Sequence, residues 1–298
     1  MIKIIHGSDL HFGAPHNPAA AEDFLRAIDS EGPDIVVLSG DFTQRAKVRE
    51  FEEARAFLER LPEVPVVVTP GNHDVPLYRV AERLFSPFRN YRRYLREELD
   101  TVTRIPGLTV VALNTAAPRR AIVNGRIDAD QLQFARRAFA SAPPNDLKAL
   151  VAHHHLAPAP DYEGDHPLPG ARKILEAIEG MGVELVMGGH LHRAFIGNSL
   201  DVHPGANPDR GVVIVQCGTT SSRRGRARER TRNSFNVIRV HGDRLEVVKH
   251  MHFADAGGFA PFSMHAFPRI PKRFFDEALV FGPPRPKNLP RTVPEEAR

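Results

Sequence analysis

Short apolar runs recur along this chain, and polar residues of one restricted kind follow each of them. The runs Ile2-Lys3-Ile4-Ile5, Ile35-Val36-Val37-Leu38, Val66-Val67-Val68, 147–151 and 183–187 are rich in β-branched residues or leucine and bounded by Gly, Pro or Asp. Runs this short, apolar on both faces, read as buried strands. Between them lie segments of helical period. Asn17-Pro18 supplies a cap and a first-turn proline for a helix over 19–28, and Gly32-Pro33 stops it. Over 47–61, Val48, Phe51, Ala54, Phe57 and Leu58 fall at core-facing helical spacing, which predicts a surface helix. Strand alternating with helix predicts an α/β fold with a mainly parallel sheet covered on both faces. Further strands are expected at 212–215 and 235–240. Beyond about 250 the pattern changes to Gly257-Gly258, many prolines and few periodic runs, and 282–298 is Pro-rich and charged. The expected division is a domain over 1–250 and a Pro/Gly-rich extension over 251–298, partly irregular or disordered. His250 and His252 are expected at the surface or a sheet edge.

The chain has 298 residues, enough for one large domain with a substantial core. No apolar run approaches the roughly 20 residues of a membrane span. Met1 leads directly into a strand with no charged-then-apolar leader, so a cytoplasmic location is expected. A single cysteine, Cys217, excludes an internal disulfide framework and reads as a buried thiol. The formal charge is +4, and much of the basic excess is local: 221–232 holds six arginines against one glutamate. Such a run either grips an anionic substrate through guanidinium forks or forms a solvated loop. No aromatic residue interleaves with it, which disfavours nucleic acid as the partner.

The polar residues that end the runs carry the candidate chemistry. They are Asp9-Leu10-His11, Gly40-Asp41, Gly71-Asn72-His73-Asp74, His153-His154-His155 and Gly189-His190-Leu191-His192. Each cluster alone is weak, because turns and caps use the same residues. Together they place carboxylate, imidazole and amide donors at the carboxyl ends of successive strands, where ligands gather in open sheets. Asp9, His11, Asp41, Asn72, His154, His190 and His192 are seven candidate metal ligands. Seven are too many for one tetrahedral ion and suit two ions sharing Asp41, a clamp for displacement at phosphorus. Histidine, asparagine and carboxylate donors fit manganese or iron, and zinc as well. His73 is the candidate catalytic histidine, acting without binding metal. Asn72, His73, Arg223 and Arg224 are the candidate substrate contacts.

The blocks DLH, GDFT, PGNHD, HHHLAP and GGHLH resemble the calcineurin-like metallophosphoesterase superfamily over roughly residues 1–250. The resemblance implies a four-layer αββα sandwich of two mixed sheets flanked by helices, with a dinuclear centre at the strand ends. It implies one ion on Asp9, His11 and His192 and the other on Asn72, His154 and His190, with Asp41 between them and His153 as the alternative to His154. His73 becomes the catalytic histidine. HHHLAP and the segments around Cys217-Gly218-Thr219-Thr220 and Asn233-Ser234-Phe235-Asn236 are similar to the bacterial cyclic-nucleotide phosphodiesterase branch. The expected activity is hydrolysis of phosphate diesters, 3′,5′-cyclic nucleotides among them, by attack of a metal-bound hydroxide. The alternatives are a nuclease, a phosphomonoesterase or lipid-linked pyrophosphate hydrolase, and a non-catalytic protein-binding module on the same fold.

Overall fold

The computed structural model describes residues 1–119, 123–158, 166–203 and 211–269. In chain order the first half contains β1 (Ile2–Gly7), α1 (Pro18–Glu31), β2 (Ile35–Leu38), α2 (Val48–Leu58), β3 (Val66–Val68), α3 (Val80–Phe85), α4 (Arg89–Tyr94), β4 (Thr101–Ile105) and β5 (Leu108–Leu113). The second half contains α5 (Ala129–Ala140), β6 (Leu147–Ala152), α6 (Ala171–Gly180), β7 (Leu185–Gly188), β8 (Phe195–Asn198), β9 (Val213–Gln216), β10 (Ser234–Val240), β11 (Arg244–Phe253) and β12 (Gly258–Pro268).

The strands form two six-stranded sheets rather than one, ordered β12-β11-β10-β1-β2-β3 and β4-β5-β6-β7-β9-β8. Both are mixed. The β1-β2-β3 and β5-β6-β7-β9 stretches are parallel, and antiparallel strands complete each sheet. Alternation along each strand builds the layers. Ile4, Ile35, Val37, Ala149, Val151, Leu185 and Met187 point into a core between the sheets. Their neighbours Ile5, Val36 and Leu38 pack with Phe24 and Ile28 of α1 and Phe51 of α2. Leu150 and Val186 pack with Phe139 of α5 and Ile174 and Ile178 of α6. The result is helix, sheet, sheet, helix. It explains why the central strands read as unbroken apolar runs: both of their faces are buried.

Helix α1 starts and stops as its punctuation requires. The Asn17 side chain accepts the Ala20 N–H, and Gly32, at φ 56°, closes the helix with its N–H on the Ile28 carbonyl. In α2, Phe51, Ala54 and Phe57 are buried, but Val48 is exposed at the first turn.

The sheet continues past the boundary expected at 250. β11 runs through it, paired on both sides, and β12 forms the outer edge. His250 and His252 are therefore buried rather than at an edge. His250 stacks on Phe235, and His252 meets Asp23 at 2.6 Å. Residues 270–298, most of the expected extension, lie outside the described residues. Among the described residues, no helix is long and apolar enough to cross a membrane.

Candidate metal centre

All five clusters lie at carboxyl ends of strands, three in the first sheet (β1, β2, β3) and two in the second (β6, β7), so the centre spans the gap between the sheets. Backbone bonds sew the loops together. Asp9 N–H donates to the Gly40 carbonyl at 3.0 Å, His11 N–H to that of Asp41 at 3.0 Å, and Gly189 N–H to that of His153 at 3.0 Å. The His190 N–H donates to Asp9 Oδ2 at 3.0 Å and joins the sheets through the site. Two glycines are required by close approach. A Cβ on Gly71 would stand 2.1 Å from Asp41 Oδ1, and one on Gly189 would stand 1.9 Å from Ser8 Oγ.

The backbone is strained where the donors sit. Among the described residues, non-glycine positions with positive φ include Asp9 (56°), His11 (49°), Asp41 (53°), His190 (75°) and His192 (53°). Such conformations cost on the order of 1 kcal/mol or more each and persist only where the surroundings impose them.

Two groups of donor atoms share one oxygen. In the first, Asp9 Oδ1 lies 3.1 Å from His192 Nε2 and 3.6 Å from His11 Nε2, the two ring nitrogens are 3.0 Å apart, and Asp41 Oδ2 is 3.6 Å from His11 Nε2. These four residues are buried, with their ligand atoms within 4.8 Å of one another. In the second, the same Asp41 Oδ2 is 3.4 Å from His153 Nε2, and Asn72 Oδ1 lies 3.3 Å from that nitrogen and 3.0 Å from His190 Nδ1.

The donor sets fit metal ions. Asp9 Oδ1 and Asp41 Oδ2 are buried carboxylate oxygens with no hydrogen-bond partner among the described residues, a costly arrangement unless something positive meets them. Ligands about 2.1 Å from an ion stand about 3.0 to 3.4 Å from one another, the spacing seen here. The far nitrogens are anchored as metal-binding imidazoles usually are: His192 Nδ1–H donates to the Arg224 carbonyl at 3.0 Å and His153 Nδ1–H to that of Ser39 at 2.8 Å. Burial acts to raise both carboxyls, but His192 and His11 around Asp9, and His153 and His73 around Asp41, hold both well below the usual carboxylate range. Burial lowers His11 to about 3, so its ring is neutral.

Two expectations change. The third histidine of the second group is His153, not His154. The His154 ring is turned the other way, with Nδ1 sharing a 2.7 Å hydrogen bond with Thr115 Oγ1. Asp41 also reaches both groups through one oxygen, because its Oδ1 is taken by the His73 N–H at 2.8 Å.

His73 and Arg224 stand together beside the donors. His73 Nδ1–H donates to the Gln44 carbonyl at 2.9 Å, so Nε2 is bare and accepts from Arg224 Nη1 at 2.9 Å. Burial lowers His73, Asp41 pulls the other way, and Arg224 adds to the lowering; the ring is neutral. Arg224 is half-buried over the site, whereas Arg223 is exposed to solvent.

The positioning residues were not identified from sequence. Asp74 accepts from the Phe42, Thr43 and Gly71 N–H groups and from Thr43 Oγ1, which ties the β2 and β3 loops together. Glu229 is buried, pairs with Lys249, and accepts from Ala194 N–H at 3.1 Å and Ser234 Oγ at 3.2 Å. It was visible as the single acid in the arginine run.

The calcineurin-like phosphoesterase family model matches residues 2–194, which include every donor of both groups. The chain belongs to this family. It is a hydrolase fold with the family's metal-binding residues in place. A probable cyclic nucleotide phosphodiesterase of Synechococcus sp. is 30% identical over 65% of this chain and 75% of its own length. Purple acid phosphatase from yellow lupin superposes with a TM-score of 0.69 at 16% identity, covering 90% of this chain and 53% of that one. A dimetal phosphatase from Danio rerio superposes with a TM-score of 0.59 at 13% identity, covering 90% and 98%. At these identities the structural matches show the shared fold.

Proposed function

We propose that this chain is a phosphodiesterase working with two bound metal ions, with 3′,5′-cyclic nucleotides as the substrate class, and the observation that carries the reading is the Asp41 Oδ2 shared by two complete donor groups. One ion would be held by Asp9, His11, Asp41 and His192, and the other by Asp41, Asn72, His153 and His190. Bound ions in this arrangement neutralise charge on a phosphoryl group and make a water acidic enough to supply the nucleophile near neutral pH. Manganese or iron suits the mixed nitrogen and oxygen donors, and zinc fits them as well.

The chain's own groups do the rest. Arg224 presents its guanidinium to a phosphate oxygen, and His73 holds Arg224 until the substrate arrives. An incoming anion favours protonation of His73 at Nε2, which makes it a donor to the leaving oxygen. His73 needs no metal contact for this role, since Gln44 fixes its far nitrogen. The similarity to a probable cyclic nucleotide phosphodiesterase supports the substrate class.

The test is the initial rate of manganese-reconstituted protein on 3′,5′-cyclic AMP, an aryl phosphodiester and an aryl phosphomonoester, with Asp41→Asn as control. Turnover of both diesters that vanishes in the variant supports the reading. Turnover of the monoester alone overturns the diesterase assignment, and undiminished rates in Asp41→Asn overturn the shared-oxygen mechanism.

A further inference from the structure

Away from the donor groups, a cavity of about 660 Å³ lies between α3–α4 and the segment 117–128. Four guanidinium groups line it, Arg89, Arg92, Arg119 and Arg126, together with the rings of Phe85 and Phe88. Arg89 and Arg92 are three apart on α4 and share a face. Arg126 approaches from the opposite wall, and Arg119 ties the walls together by donating from Nε to the Leu84 carbonyl at 3.0 Å. One carboxylate, Asp128, faces this charge, and its Oδ1 is already occupied as the N-cap of α5, accepting the Gln131 N–H at 3.0 Å. Among the described residues, none of the four arginines forms an ion pair with a carboxylate. Like charges gathered on a concave wall without counter-charges repel one another and raise the local concentration of small anions. Phe85 is 83% exposed, and α3 buries none of its residues, so the ring is not there to fill a core.

We infer that this cavity binds a small organic phosphate carrying a flat ring, of the mononucleotide class. Guanidinium forks match the phosphate oxygens, and the phenyl face offers a stacking platform for a base. The volume lies within the range of small-molecule sites, about 300 to 1,000 Å³. The cavity is separate from the donor groups but mechanically tied to them. The Arg126 N–H donates to the Thr115 carbonyl at 2.8 Å, and Thr115 Oγ1 holds the His154 ring beside His153. Occupancy therefore fixes the segment that braces the second donor group, while binding itself needs no metal.

The experiment is calorimetric titration of 5′-AMP into the full chain after chelator treatment, and into Asp41→Asn. Saturable binding is expected in both, weakened about tenfold by Arg89→Ala and by Arg126→Ala, weakened also by Phe85→Ala, and falling as salt rises. Ribose 5-phosphate, which lacks the ring, is expected to bind more weakly than 5′-AMP and to be insensitive to Phe85→Ala. All three substituted residues are exposed or on the cavity wall, and an unchanged melting curve confirms that each variant is folded. Absence of binding without metal, or affinity untouched by Arg89→Ala and Arg126→Ala together, overturns the inference. Because metal-free protein is used, these outcomes are independent of whether the diesterase reading holds.

Discussion

Replacing His153 and His154 in turn by alanine separates two adjacent buried imidazoles with opposite duties. His153 Nε2 faces Asp41 Oδ2 at 3.4 Å and Asn72 Oδ1 at 3.3 Å, and its other nitrogen is spent on the Ser39 carbonyl. Losing an outer-sphere partner of a metal ligand already lowers metal affinity about 10- to 100-fold. Loss of a directly facing donor is therefore expected to exceed about 100-fold, or about 2.7 kcal/mol. His154 instead satisfies Thr115, and its ring is buried. His154→Ala strands that hydroxyl at a cost of about 1 to 3 kcal/mol, which in a chain of this size lowers the melting temperature by about 2 to 12 °C. It leaves the donor group intact. The assay is metal content by plasma mass spectrometry after gel filtration in manganese-free buffer, beside a thermal melt. Two ions retained by His154→Ala and about one by His153→Ala is the expected result. The reverse pattern would refute the assignment of His153 to the second group.

Other perturbations probe the surrounding structure. Arg224→Ala is expected to lower kcat/KM on a phosphodiester about 10- to 100-fold, the worth of one charge-assisted hydrogen bond, with metal content unchanged. Arg223→Ala, on the solvent side, is expected to stay within about twofold, and equal losses would contradict the placement of Arg224. Lys249→Met leaves the Glu229 carboxylate buried without its lysine and is expected to cost about 3 to 5 kcal/mol in urea unfolding. Lys249→Met with Glu229→Gln should recover most of that, and a double variant no more stable than the single one would show that the pair is not coupled. Cys217 is buried, and burial pushes its thiol far above the usual range. A thiol-specific aromatic disulfide should therefore react with it only after denaturation, and fast labelling of the native chain would contradict this placement.

How far the sequence alone led depended on what each residue's neighbours reveal. Strands buried on both faces, such as Ile35-Val36-Val37-Leu38, announce themselves because nothing polar interrupts them. The edge strand β12 did not, since Pro261 and Gly258 read as breakers, and only an edge tolerates them. The β4–β5 hairpin turns at Pro106-Gly107, but a charged stretch before it masked the alternation. The division into two sheets follows from antiparallel partners distant in sequence, such as β10 on β1, which local pattern does not encode. The donors were legible because imidazole, carboxylate and glycine recur at strand ends. The choice between His153 and His154 was not, because adjacent residues at the end of β6 point to opposite sides and composition does not say which side faces Asp41. Glu229 was hidden by its neighbours: a lone acid among arginines reads as surface charge until the fold carries it inward to Lys249.

The central claim is that two ions joined through Asp41 hydrolyse a phosphodiester. It is tested most directly by titrating manganese into the metal-free chain while following hydrolysis of an aryl phosphodiester. The account requires activity to keep rising until two equivalents are bound and to be absent throughout in Asp41→Asn. Full activity at one equivalent, or turnover without metal, would contradict it.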